Sequence, residues 1–371
     1  MLFGSTLQIT HRIERDIRNY SFMSHRTSVK NLILAAPLAL LLIGPSALAQ
    51  TAPTAPYRLL NTIAIGGEGG WDYLSVDPAG ERLYVSHGTQ VEVVDLKTRK
   101  VIGIIANTPG VHGIEVVPTA GRGYITCGRK AECVVFDLKT LKTIATVPTG
   151  PKPDALLYDA FSKRVFLFSN DGGKSTVLDA ATGAVVGTAE LGGDVEAPAT
   201  DGRGGIFVNI EDKNEVIEFD AKTLAVRHRH SLAPGAEPTG LAYDPQANRL
   251  FSACANEKLV VTDSKTGKQV AVLPIGKGSD GAAFDPSTRN IITSNGSGTF
   301  TVIHEDAPDK YTVVATVPTA RGARTIALDP RTHHLFTCTA DYGPTPAPTT
   351  ENPRPRPSIV PGTFRVLEFG K

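Results

Sequence analysis

The stretch Pro238-Thr239-Gly240-Leu241-Ala242-Tyr243-Asp244-Pro245, followed by Asn248-Arg249-Leu250-Phe251, decides the fold of this chain. Leu241 and Tyr243 alternate with small residues, which is the pattern of a half-buried strand. Asp244-Pro245 ends that strand, because proline fixes φ and has no N–H to offer to a sheet. A second apolar run begins within the segment that follows. The stretch therefore predicts a strand, a tight turn and another strand.

The same phrase recurs along the chain with an almost constant spacing. Its other anchors are Asp77, Pro118, Asp159, Asp201, Asp285 and Asp329, and neighbouring anchors are 41 to 44 residues apart. About 18 residues after the anchors comes a second repeated phrase, an aspartate with a threonine three residues later, which closes a turn by bonding backbone N–H groups. Its aspartates are Asp95, Asp137, Asp179, Asp220 and Asp263. A period in the 40s that is built from strand-sized pieces is typical of propeller blades.

Seven periods of four strands each predict an all-β, seven-bladed propeller that spans residues 57–371. The last period supplies three strands, because the chain stops at Lys371 soon after Thr363–Phe369. Tyr57–Ile65 is a single alternating strand with no blade before it. We therefore predict that this N-terminal strand supplies the outer strand of the last blade and closes the ring, which would cover two open sheet edges.

A proline-rich segment interrupts the last period between Ala340 and Gly362. This density of proline excludes a strand pair and favours an extended loop. Counting strands places the loop between the second and third strands of blade seven. It carries Arg354 and Arg356, and we expect it to lie near the channel on the same face as the other loops of that kind.

Residues 1–49 have the pattern of a secretory signal peptide. A run of 12 mostly apolar residues, Leu32–Ile43, follows basic residues and precedes Ala47-Leu48-Ala49. The run is too short to span a bilayer, which needs about 20 residues. We expect cleavage after Ala49, a true start at Met23, and a loose tether over residues 50–56. The mature protein would then be periplasmic or secreted.

The charge of the mature chain argues against nucleic-acid binding. The full chain has 38 basic and 37 acidic residues, and loss of residues 1–49 removes five basic and two acidic residues, which leaves a net charge of −2. A nucleic-acid footprint requires a basic face. We expect a monomer whose partner is a small molecule or a protein.

The repeats resemble the YVTN-repeat (YncE-like) β-propeller family, whose units are similar to WD-type repeats. The family's name-giving strand is matched by Leu83-Tyr84-Val85-Ser86 and Gly123-Tyr124-Ile125-Thr126, and its Asp-x-x-Thr-Gly turn is matched at Asp179–Gly183 and Asp263–Gly267. The resemblance extends over residues 57–371. It implies a secreted or periplasmic seven-bladed propeller, and it leaves the function open because the shared motifs are structural.

Candidate functional residues follow from the repeat itself. The first strand of a propeller blade lines the central channel, so residues five before each anchor should surround the channel mouth on the face here called the top. These residues are Asp72, Gly113, Asp154, Glu196, Thr239, Asp280 and Arg324. Trp71, the single tryptophan, and His112 stand one position earlier. A ring of like charges raises carboxylate pKa values or attracts a cation.

Three interpretations of this ring remain open. The mouth binds a ligand, such as a cation, an amine or a sugar that stacks on Trp71, or it presents the top face to a protein partner. Alternatively the protein is an enzyme, a lyase or hydrolase acting on a carbohydrate or another small molecule, with candidate catalytic residues Asp72, His112, Glu196 and Arg324. In the third interpretation the ring contacts only water. No cofactor and no dedicated metal site are predicted, although a divalent cation in the acidic channel is compatible with the charges.

The four cysteines suggest one disulfide. Cys127 and Cys133 flank a hairpin turn in blade two, and an oxidising compartment would favour a cross-strand bond between them. Cys254 and Cys338 lie two blades apart and are expected to be buried thiols. The spacing matches no zinc motif.

Overall fold

The structure is a computed structural model that describes residues 57–350 and 355–371. Its first strand, β1 (Arg58–Ala64), pairs antiparallel with the last strand of the chain, from Arg58 opposite Gly370 to Ala64 opposite Arg365. The predicted signal peptide and tether, residues 1–49 and 50–56, lie outside the described residues.

Together with β1, the other strands of the described residues form seven four-stranded antiparallel sheets, which are the blades. Blade one contains β2 (Leu74–Asp77), β3 (Arg82–His87), β4 (Gln90–Asp95) and β5 (Lys100–Ala106). Blade two contains β6 (Val111–Val117), β7 (Arg122–Cys127), β8 (Glu132–Asp137) and β9 (Thr143–Pro148). Blade three contains β10 (Pro153–Asp159), β11 (Arg164–Ser169), β12 (Lys174–Asp179) and β13 (Val185–Glu190).

Blade four contains β14 (Val195–Thr200), β15 (Gly205–Ile210), β16 (Glu215–Asp220) and β17 (Val226–Ser231). Blade five contains β18 (Pro238–Asp244), β19 (Arg249–Cys254), β20 (Lys258–Asp263) and β21 (Gln269–Pro274). Blade six contains β22 (Ser279–Asp285), β23 (Asn290–Asn295), β24 (Thr299–Ala307) and β25 (Lys310–Pro318). Blade seven contains β26 (Ala327–Leu328), β27 (Leu335–Thr339) and β28 (Arg365–Gly370), with β1 as its outer strand.

The predicted fold and its closure are therefore confirmed. The strand order of blade seven is β1-β28-β27-β26, so the start of the described chain completes the last sheet. A single short 3-10 turn, Pro118–Ala120, is the only helical element among the described residues. In the same part of the chain, no helix has the length and apolar character needed to cross a membrane.

The recurring aspartates close turns, as their chemistry predicts. Asp244 Oδ1 accepts a hydrogen bond from the backbone N–H of Gln246 at 2.8 Å, and Asp285 accepts one from Ser287 at 3.0 Å. In the second phrase each aspartate accepts a bond from the N–H of the threonine three residues later, at 2.6–2.9 Å. These bonds lie within single hairpins, so they do not depend on contacts between blades.

The core of the molecule lies between the blades. A buried apolar cluster separates each pair of neighbouring blades, including blades seven and one, where Ile63, Leu83 and Phe336 meet. Burying such side chains is worth about 1.5–3 kcal/mol each. The blades are therefore held side by side around a ring, and their first strands surround a central channel.

The proline-rich loop joins β27 to β28, as the strand count predicts. Its base is a short hairpin in which Gly343 N–H donates to Ser358 O at 2.8 Å and Val360 N–H donates to Asp341 O at 2.8 Å. The N–H of Gly362 donates to Gly67 O at 2.8 Å, which ties the loop to the segment that leads into blade one.

Candidate functional site

The first strands carry their polar residues to the top of the channel, and at several seams a side chain of one blade hydrogen-bonds to the first-strand backbone of the next blade. The Thr126 hydroxyl donates to the backbone carbonyl of Asp154 at 2.5 Å, and the Thr325 hydroxyl donates to that of Asp72 at 2.6 Å. The Ser294 hydroxyl donates to the carbonyl of Arg324. These bonds fix the backbone at the positions from which the site side chains project.

Asp72 is the centre of the resulting cluster. Its Oδ2 lies 2.6 Å from Nδ1 of His112, and its Oδ1 accepts a hydrogen bond from Nη2 of Arg324 at 3.0 Å. The Nε of Arg324 lies 2.8 Å from Oδ2 of Asp280. Residues from blades one, two, six and seven thus form one continuous network of charges.

Two more carboxylates extend the network into blades three and four. Oδ1 of Asp154 lies 3.4 Å from Nδ1 of His112, which is an ion-pair distance. Glu196 is buried, and its Oε1 accepts a hydrogen bond from the amide of Asn170 at 2.6 Å. We call the six residues Asp72, His112, Asp154, Glu196, Asp280 and Arg324 the mouth ring.

Crowding of acids in a buried place changes their protonation. Burial, reinforced by the neighbouring carboxylate charges, raises the pKa of Glu196 to about 9. Burial also raises the pKa of Asp154 to about 7, with Asp72 adding to the shift and His112 opposing it. Burial raises the pKa of Asp280 to about 6 although Arg324 opposes the shift. Burial acts to lower the pKa of His112, but the hydrogen bond to Asp72 and the charge of Asp154 outweigh it, so the net shift is upward.

A cavity of about 250 Å³ lies in the channel. Its wall is mostly apolar and includes Leu157, Pro198 and Ala282, together with Tyr73, Ser75 and the carboxyl group of Glu115. Burial raises the pKa of Glu115 to about 8, and a hydrogen bond with the backbone of Tyr158 opposes that shift only partly. The channel at neutral pH therefore holds an uncharged acid that the sequence analysis did not single out.

We expect the substitution Glu115→Gln to stabilise the protein at alkaline pH. When the folded-state pKa of an acid is raised, the folded protein loses stability as the pH rises from the ordinary pKa of 4.5 to about 8, because the acid ionises first in the unfolded chain. Glutamine keeps the shape without the charge. The free energy of unfolding, measured by urea denaturation, should exceed that of the unsubstituted protein by about 4 kcal/mol at pH 8.5, since a shift of one pKa unit corresponds to about 1.4 kcal/mol. The two proteins should converge near pH 4.5, and a difference that is independent of pH would contradict the assignment.

The structure brings most of the predicted site residues together, with three differences. In blade two the mouth position belongs to His112 rather than Gly113, because Val117, not Pro118, pairs with Arg122 as Asp77 pairs with Arg82. Trp71 is only 8% exposed and stacks on Phe364 with 5.1 Å between ring centroids, so it is not available to stack on a ligand.

Thr239 is the third difference. Its hydroxyl donates to the carbonyl of Ser279 at 2.9 Å, which joins blade five to blade six. Asn170, which comes from a loop between strands two and three of blade three, was not among the predicted site residues. The only indication of Asn170 in the sequence was that loops between strands two and three lie on the same top face as the mouth ring.

The predicted disulfide is not formed, and all four cysteines are free and buried. In the β7–β8 ladder Cys127 pairs with Glu132, while Cys133 pairs with Thr126. Because neighbouring residues on a strand point to opposite faces, Cys127 and Cys133 lie on opposite faces of blade two. Burial raises the pKa of the Cys127 thiol to about 12, as expected for an unreactive core residue.

The sequence also matches a known protein family. Residues 129–335, more than half of the chain, match a family described as PQQ_2, outer membrane protein assembly factor BamB. The chain belongs to this family. The chain also matches the protein named "Uncharacterized protein YncE" of Salmonella typhi and of Salmonella typhimurium, with 30% identity over 96 residues in each case. The match covers 25% of this chain and 27% of each relative, and with the seven blades it supports a YncE-like propeller.

Solved structures confirm the fold of this BamB-type chain. A chain of Kuenenia stuttgartiensis hydrazine synthase superimposes with a TM-score of 0.63 at 19% identity, over 73% of this chain and 92% of that one. A chain of a mitotic checkpoint complex superimposes with a TM-score of 0.66 at 15% identity, over 92% of this chain and 98% of that one. At these identities the similarity concerns the fold alone.

Proposed function

We propose that this propeller is a scaffold that binds a small ligand at the mouth ring. The observation that carries the proposal is the continuous network of Asp72, His112, Arg324 and Asp280, which joins four blades beside a cavity of about 250 Å³. A concave site with converging polar groups and shifted pKa values is the usual form of a ligand site.

The charges of the ring indicate the chemistry of the ligand. Four carboxyl groups face two cationic side chains, Arg324 and His112, and both cations are already paired with Asp72. A ligand that carries a positive charge or several hydrogen-bond donors, such as an amine or a sugar, would relieve the crowding of acids. An anionic ligand would meet repulsion from the same groups.

The test is a thermal-shift screen of amines, amino sugars and neutral sugars. Ligands that raise the melting temperature should lose at least tenfold in affinity, about 1.4 kcal/mol, when Asp72, Glu196 and Asp280 are all replaced by alanine. The matched control is Asp171→Ala, because Asp171 is an exposed acid on a top-face loop whose partner Lys152 is also exposed. Retention of the ligand shift in the triple variant, with its fold verified by circular dichroism, would place the ligand elsewhere.

One observation favours an enzyme as the second candidate function. Asp72 binds Nδ1 of His112, whereas Nε2 has no hydrogen-bond partner among the described residues and the side chain is 38% exposed. An imidazole that is oriented by a carboxylate and open at its other nitrogen is a suitable general acid or base for a lyase or hydrolase. Product formation from a ligand found in the screen would decide for this candidate.

The proposed place of action is outside the cytoplasm. The signal-like sequence of residues 1–49 supports it, and so does membership of a family whose description names an outer membrane protein assembly factor. That description also makes a protein partner on the top-face loops the alternative to a small ligand. A small ligand fits better than a protein partner, because the side chains of the mouth ring are charged and partly buried.

A further inference from the structure

We infer that Asp72, His112 and Asp154 bind a divalent transition-metal ion, such as Zn²⁺ or Mn²⁺, at the mouth of the channel. One ligand atom from each of these residues lies within 4.8 Å of the other two. The residues come from three successive blades, so the sequence does not bring them together and the fold does. The inference specifies the ligand chemistry of the mouth ring and therefore rests on the function proposed above.

The spacing of the donor atoms fits a metal centre. Nδ1 of His112 lies 2.6 Å from Oδ2 of Asp72 and 3.4 Å from Oδ1 of Asp154. Ligands that are about 2.0–2.2 Å from a zinc ion stand roughly 3–3.5 Å apart, so small side-chain shifts would complete the site. One imidazole with two carboxylates suits zinc or manganese better than calcium or magnesium, which prefer oxygen ligands throughout.

An independent observation concerns Asp154. Its Oδ1 is closed off from solvent and accepts no hydrogen bond within the described part of the chain. The N–H of His112 cannot satisfy it while it is directed to Asp72, so the 3.4 Å approach is an attraction of charges without a hydrogen bond. A buried carboxylate oxygen without a donor is costly and calls for an explanation such as an ion.

The surroundings supply the support that metal ligands need. The second oxygen of Asp72 is held by Arg324, and the backbone N–H of Asp72 donates to the Ser86 hydroxyl at 2.7 Å. Partners of this kind orient metal ligands and are nearly as important as the ligands themselves. Asp280 and Glu196 are engaged by Arg324 and Asn170, and neither belongs to the group of donor atoms that lie within 4.8 Å of one another. Three protein ligands leave coordination positions for water or for a bound molecule.

The experiment is titration of EDTA-treated, dialysed protein with ZnCl₂ and with MnCl₂, followed by calorimetry and by elemental analysis after gel filtration. We expect one ion per chain, and a loss of affinity on the order of 100-fold in His112→Ala and in Asp154→Asn. Asp171→Asn controls for the loss of an acid on the top face. The double variant of His228 and His230 to alanine controls for adventitious binding, because these two rings stack on the exposed outer strand with centroids 5.7 Å apart.

Each result has a defined meaning once circular dichroism shows that the variants are folded. Absence of a bound ion, binding that is unchanged in His112→Ala and Asp154→Asn, or binding that disappears with His228 and His230 would overturn the inference. If an organic ligand still shifts the melting temperature of metal-free protein that binds no ion, the inference fails and the ligand-binding role stands. If the ion binds but no ligand depends on Asp72, Glu196 and Asp280, the ligand-binding role fails and the metal site stands.

Discussion

Deletion of residues 57–65 should destabilise the propeller more than any single substitution, with a fall in the melting temperature of at least about 10 °C. This segment buries Tyr57 and Ile63, and its strand β1 pairs with β28 from Arg58 to Ala64 with one irregularity between Leu59 and Asn61. Two buried side chains at about 1.5–3 kcal/mol each and several ladder bonds at about 1 kcal/mol each add to roughly 5–10 kcal/mol. The exposed edge of β28 should also promote aggregation. Differential scanning calorimetry and light scattering measure both effects.

Two single substitutions within β1 test its role in closing the ring without shortening the chain. Ile63 is 3% exposed and packs between blades seven and one, whereas Leu59 on the same strand is 51% exposed. Ile63→Ala should cost about 2–4 kcal/mol of unfolding free energy, and Leu59→Ala should stay within about 0.5 kcal/mol. Equal effects of the two substitutions, or a truncated protein that melts at the original temperature, would refute the closing role of β1.

The fold could be predicted from the sequence because its signals are local. Asp244 and Asp263 each close a turn between neighbouring strands, so each repeat reveals its own hairpins. Ring closure also followed from a count, since one strand was surplus at the start and one was missing at the end. The single misplaced anchor was Pro118, where a 3-10 turn replaces the aspartate-capped turn and moves the register by one residue.

The site was predictable only as a set of positions. Counting from the anchors gave Asp72, Asp154 and Arg324, but which side chains bond to one another depends on how the blades pack. Trp71 and Asp72 lie just before β2: Asp72 faces the mouth, whereas Trp71 packs in the core between blades seven and one. The predicted disulfide between Cys127 and Cys133 was wrong because the hairpin loop between β7 and β8 is one residue shorter than expected. This shift places Cys133 on the other face of the blade.

Glu115 shows what a repeat count leaves out. It stands three residues before the anchor Pro118, outside the positions that were counted for the mouth, and nothing in its local sequence distinguishes it from an exposed strand residue. Only the assembled ring makes the channel wall apolar around it and shifts its pKa. Perturbed acids of this kind arise from tertiary structure and are therefore invisible to pattern analysis.

The second large effect is expected at the seam on the opposite, bottom face, where Glu368 joins blade seven to blade one. Glu368 is 2% exposed and accepts hydrogen bonds from Arg99 Nε and Nη2 at 2.7 and 3.1 Å and from Asn61 at 2.7 Å, while His334 Nδ1 lies 2.8 Å away. Replacement by alanine leaves these groups without their carboxylate. Because Arg99 is 37% exposed and partly recovers water, we expect Glu368→Ala to cost about 3 kcal/mol of unfolding free energy, at the lower end for a broken buried pair.

The pH dependence of that cost distinguishes a charge effect from a packing effect. Burial acts to raise the pKa of Glu368, but the bonds from Arg99, His334 and Asn61 outweigh it and the net shift is downward. An acid with a lowered folded-state pKa contributes stability above its ordinary value of 4.5 and loses it as the pH falls through the folded-state value. Urea denaturation should therefore show a gap between Glu368→Ala and the unsubstituted protein that is full at pH 7 and shrinks below about pH 4.5. Glu81→Ala, at an exposed pair with Lys97, should cost less than about 1 kcal/mol, and a Glu368 gap that widens in acid would refute the ionic role.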